Sequence, residues 1–103
     1  MLGKRRFAEL ISRQLDLFVR DELDLLQACD AAERAYDGAE RDEAEERYGE
    51  YQDLVETGTE ILADLRDHFA TTLDEEEADE YVEAFNRAVA KRLPRFALEI
   101  ENR

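Results

Sequence analysis

FAELISRQLDLFVRDELDLLQACDAAERAYDG, residues 7–38, decides the fold. At about 100° per residue, Phe7, Ile11, Leu15, Phe18, Leu26, Cys29 and Tyr36 return to one face, the mark of an amphipathic helix. Asp37-Gly38 then supplies a stop, because glycine suits the left-handed position beyond a helix end. The spacing predicts helix A over about residues 4–36. Glu22 stands in the middle of the stripe, a carboxylate where a core residue belongs.

The chain after Gly38 repeats the pattern twice. Tyr48, Tyr51, Val55, Gly58, Leu62, Leu65 and Phe69 recur every three or four residues and predict helix B over about 43–71. Asp42 with Glu45 three residues on resembles a capping box. Gly49 and Gly58 each weaken this helix by ~1 kcal/mol relative to alanine. Asp74 with Glu77 forms a second capping box, and Glu75 and Glu76 favour the positive end of the helix that follows. Ala78, Tyr81, Val82, Phe85, Val89, Leu93, Phe96 and Ile100 share its face. Pro94 projects opposite that face, so the reading is one helix C over about 75–101, kinked near Pro94.

No strand-like alternation competes with this reading. Residues 1–103 therefore read as one all-α domain, an up-down-up antiparallel three-helix bundle with long helices. Charge favours that order. Lys4, Arg5 and Arg6 would face Asp74, Glu75, Glu76 and Glu77. Lys91, Arg92 and Arg95 would approach Glu40, Asp42, Glu43 and Glu46. Each exposed pair contributes only ~0.2–1 kcal/mol, so the pattern selects a topology more than it adds stability.

With 28 acids against 14 bases the chain carries a net charge of −14. DNA, RNA and anionic membranes need a cationic surface, so none is expected as a direct partner. A basic protein fits the charge. Cys29 is the single cysteine, which rules out an internal disulfide and points to a reducing, cytoplasmic setting. No apolar run reaches the ~18 residues of a membrane span. The opening MLGKRRFAELISRQLDLF intersperses charge among its apolar residues, unlike a signal peptide.

Catalytic and metal motifs are missing from the sequence. Carboxylate metal sites in bundles use Glu-x-x-His pairs, whereas the one histidine, His68, follows Leu65 at that spacing. Asp64 lies one turn away, in position to orient His68, but no Ser or Cys nucleophile is evidently placed beside it. Cys29 lies in mid-stripe with Asp30 and Glu33 nearby, the wrong charge for a reactive thiol. No cofactor, metal or catalytic residue is therefore expected. Tyr36, Tyr48, Tyr51 and Tyr81 fall on apolar faces and read as core aromatics. Gly58 leaves space either for a close helix approach or for a small apolar ligand beside the tyrosines.

Two residue-level expectations remain. Leu10, Leu17 and Leu25 flank the stripe of helix A on one side, and Val19 and Leu23 on the other. Together they span about 240° of helix, against the ~100° that a core-facing helix needs, which predicts self-association through this face. Glu22 lies 18 residues beyond Lys4, and Arg92 lies 17 beyond Glu75. At ~1.5 Å per residue they sit at one height in parallel helices A and C, near Tyr51. That predicts a partly buried Glu22–Arg92 pair with the Tyr51 hydroxyl as a third member. The functional expectation is a non-enzymatic acidic bundle acting through protein contacts, as a homodimer or an accessory subunit. The alternatives are a bundle that binds a small apolar ligand and an acidic nucleic-acid mimic that binds a basic protein.

Overall fold

A computed structural model describes residues 6–103; Lys4 and Arg5, expected beside the start of helix C, lie outside them. The described residues are helical and contain no strand. The order is α1 (Ala8–Asp21), α2 (Leu23–Asp37), α3 (Ala44–Ala70), α4 (Glu75–Arg92), a 3-10 turn (Pro94–Phe96) and α5 (Ala97–Glu101). Five α-helices thus replace the three long ones expected from sequence.

The first difference lies at Glu22. Its backbone leaves helical geometry, at φ −111° and ψ 30°, and divides helix A into α1 and α2. The hydrogen bonds on either side survive: Glu22 N–H donates to Phe18 O at 2.8 Å, and Leu26 N–H donates to Glu22 O at 3.0 Å. A carboxylate cannot enter an apolar core without a partner. At the break Glu22 stays half-buried, while Phe7, Ile11, Leu15 and Phe18 before it and Cys29 after it are buried.

The second difference lies at Pro94. The proline has no N–H to donate and crowds the residue before it. Leu93 accordingly leaves the helix at φ −130° and ψ 63°. The chain then folds back. Arg66 Nη1 donates to Asn86 Oδ1 at 3.0 Å and to the Ile100 carbonyl at 3.1 Å. In a continuous helix those two positions would be about 21 Å apart. Helix C is therefore not one kinked rod: α5 turns back along α4 and packs on α3. Phe96 and Ile100 are buried, but they enter the core from a reversed segment.

The ends of α3 and α4 follow local rules unevenly. Asp74 caps α4, its Oδ1 accepting from Glu77 N–H at 2.9 Å. That bond, to the backbone above all, holds the Asp74 carboxyl below its ordinary pKa. The expected box at Asp42 does not form; Glu43 takes the N-cap position of α3 without a side-chain bond.

These two breaks set the shape. α3 has 27 residues and α4 has 18, a mismatch of about 13 Å along the axis. The end of α2 and the start of α3 therefore extend beyond α4 as a two-helix arm. The molecule measures 51 × 24 × 22 Å, with a radius of gyration of 15.5 Å against about 13 Å for a compact chain of this length. The core lies entirely in the thicker body. There Tyr81, Phe85, Val89, Leu62 and Ile100 are fully enclosed, and Phe7 meets Tyr81 edge-on at 5.4 Å.

Candidate interaction surfaces

The base of the arm is fastened by Arg95, in the turn after α4. Its Nη2 donates to Asp30 at 2.9 Å and Glu33 at 2.8 Å on α2, and its Nε donates to the Tyr51 hydroxyl of α3 at 3.1 Å. Burial opposes the charge on Arg95. The bonds to Tyr51, Asp30 and Glu33 outweigh it and hold the guanidinium above its ordinary pKa. One arginine thus ties three chain segments.

This corrects the expected Glu22–Arg92–Tyr51 cluster. Tyr51 does meet an arginine and carboxylates, but the arginine is Arg95 and the acids are Asp30 and Glu33. Arg92 reaches α1 lower down, donating to Ser12 O at 3.2 Å and pairing with Asp16. Asp16 precedes Glu22 by nearly two turns, so the height assigned to Arg92 was too great by that amount. The Glu22 side chain forms no ion pair or hydrogen bond among the described residues. Arg95 also replaces the expected contact with Glu40, Asp42, Glu43 and Glu46, because the fold-back leaves that loop beyond its reach.

Arg66 was not anticipated. It is buried at 2 % exposure, with Asn86, Asp67 and the Ile100 carbonyl as partners. It supplies a cation to the last turn of α5, where backbone carbonyls lack helical partners. The available signal was its spacing, four residues after Leu62 on the apolar face of α3.

The expected self-association face divides. Leu10 and Val19 pack against the core, and Leu25 is half-buried. Leu17 and Leu23 remain exposed, at 40 % and 49 %. Only Leu17 on one flank and Leu23 on the other are thus left exposed, on either side of the break at Glu22, so no continuous apolar arc remains. The space at Gly58 is filled by the Phe96 ring, which leaves none there for a ligand. Tyr81 is buried and donates to Gln14 Oε1 at 2.9 Å, and burial raises its pKa to about 12. Tyr36 and Tyr48 are not core residues. Their rings meet at 5.3 Å on the arm, tilted by 55°, and stay 39 % and 45 % exposed.

Cys29 is buried, and that burial raises its thiol pKa, so little thiolate forms at neutral pH. His68 is exposed. Among the described residues no group of His, Cys, Asp and Glu is arranged to hold a metal, and no helix is long and apolar enough to cross a membrane.

Two surfaces stand out. The arm has no buried residue between positions 30 and 54; three alanines, Ala32, Ala39 and Ala44, are among the few half-buried ones there. Residues 30–50 carry nine acids against three arginines. The second surface is a groove of about 490 Å³ between α1 and α4. Its floor is apolar, from Ile11, Leu15, Ala84 and Ala88, and its wall carries Arg87, Lys91 and Arg92. Arg87 and Lys91 have no carboxylate partner among the described residues. Arg92 also borders a second groove of about 510 Å³, which passes Pro94 towards Tyr51 and Glu33 on the arm. Comparisons with protein-family models, curated proteins and solved structures return no match.

Proposed function

We propose that this chain is a non-enzymatic, acidic, cytoplasmic helical module that acts through protein contacts, as a homodimer or as an accessory subunit. The arm carries this reading. A helix pair with no buried residue has little apolar area to offset the entropy of ordering its chain. Such a pair is suited to being covered by another protein. Exposed Leu17, Leu23, Tyr36 and Tyr48 add apolar area to the same purpose. The charge directs the contact towards a basic protein face and away from nucleic acids and anionic membranes.

The reading treats the helices as three arms running up, down and up, with α1 and α2 as one of them. Two ion pairs support the parallel course of α1 and α4. Arg6 pairs with Glu77, and further along both segments Asp16 pairs with Arg92.

Hydrogen exchange tests the reading. In dilute protein the amides of 30–50 should exchange far faster than those of 59–66 and 81–89, and they should slow when a partner is bound. Arm amides as protected in dilute protein as those of the core would show that the arm needs no cover, and would remove the reading.

A further inference from the structure

We infer that the occupant of the α1–α4 groove is the acidic arm of a second copy of this chain, exchanged reciprocally about a two-fold axis. The inference rests on the reading of the arm as a contact element. The two surfaces are complementary in charge. The groove wall offers Arg87 and Lys91, without carboxylate partners among the described residues, beside the Asp16-paired Arg92. The arm offers nine acids against three arginines, and among the described residues only Asp30, Glu33, Glu43 and Glu50 of those acids are ion-paired. Asp37, Glu40, Asp42, Glu45 and Glu46 are left near its tip.

The apolar parts also correspond. The floor of the groove is Ile11, Leu15 and small alanines, which leave room for a protruding side chain. The arm presents the paired, exposed rings of Tyr36 and Tyr48.

Charge selects this arrangement over an arm-on-arm dimer, which would set two strongly acidic surfaces together. Each copy has one arm and one groove. A two-fold axis makes the arm–groove contact twice and closes the assembly, whereas a single one-way contact would propagate into a filament.

The experiment is a charge exchange read by sedimentation at micromolar concentration, with circular dichroism to confirm folding. All four substituted positions are exposed. The unaltered chain should be a dimer that weakens as salt rises. R87E/K91E and, separately, D37K/E40K should each weaken it by roughly tenfold or more. Mixing the two variants should restore a dimer, because the acidic groove of the first then meets the basic arm of the second, and its acidic arm meets an unaltered groove. A dimer indifferent to both reversals, or no recovery on mixing, overturns the arm-in-groove contact but leaves the arm as a contact element. A monomer at every concentration also overturns the inference. In that case the exchange rates of the arm amides alone decide whether the broader reading stands.

Discussion

A methyl group on Gly58 would lie 2.5 Å from Cε1 and 2.8 Å from Cζ of Phe96, although Gly58 stands in the middle of α3 and Phe96 in the turn after α4. Glycine is required here for close approach, not for backbone freedom. The turn at Pro94 brings the Phe96 ring down onto α3, and only a residue without a side chain admits it.

Gly58→Ala should therefore destabilise the fold by about 1–3 kcal/mol, since the buried ring must move. Gly49 is the internal control. Nothing lies within 4 Å of a methyl group placed there, so Gly49→Ala should stabilise α3 by up to about 1 kcal/mol. Urea unfolding of both variants gives the comparison, and equal midpoints would contradict the packing of Phe96 on Gly58.

Arg95→Met keeps the aliphatic stem and removes three hydrogen bonds to Tyr51, Asp30 and Glu33. The two acids are about half exposed and regain water, so the expected loss is modest, about 1–2 kcal/mol. Its location is the sharper test. Amides of 26–37 and 44–54 should exchange faster while those of 81–89 stay unchanged. A uniform increase across the body would show that Arg95 supports the whole core and not the base of the arm.

Alkaline pH should act through Tyr81. Its phenol is raised from 10.0 to about 12 in the folded chain, chiefly by burial. Between those values the unfolded chain has lost the proton and the folded chain still holds it. The unfolded state then binds fewer protons, so stability falls as pH rises through that window. Tyr81→Phe keeps the ring, frees the half-buried Gln14 to find water, and should remove much of this alkaline loss. Thermal melts from neutral pH upward will show it; identical pH profiles for the two chains would count against Tyr81 as the source.

Glu22→Ala should cost less than about 1 kcal/mol, because no partner is left behind when the carboxylate goes. A loss of about 3–5 kcal/mol, typical of breaking a buried ion pair, would mean that Glu22 is paired in solution after all.

The residues that were legible in the sequence are those whose rules are local. The bounds of α3, Ala44–Ala70, fall within about a residue of the 43–71 expected for helix B, and Asp74 caps α4 as its spacing implies. The two breaks were hidden for a shared reason. The stripe of helix A keeps its phase across Glu22, so periodicity cannot register a bend there. Phe96 and Ile100 fall on the apolar face of helix C whether the chain continues or reverses, so the same pattern serves both. The arm follows from that reversal alone: with α4 ending at Arg92, the helix expected to cover Tyr36 and Tyr48 stops short of them. Arg95, Asp30 and Glu33 meet only because of it, which is why the sequence placed Tyr51 correctly beside an arginine and chose the wrong one.

The fold-back also sets an order of assembly during synthesis. Phe96 and Ile100 complete a core whose other walls come from residues emerging much earlier, and Arg95 closes onto Asp30 across 65 positions. Without Phe96 there is an unfilled slot beside Gly58, and without Ile100 the buried Arg66 lacks an acceptor. The body of the protein is thus sealed by the segment that follows α4 in the chain.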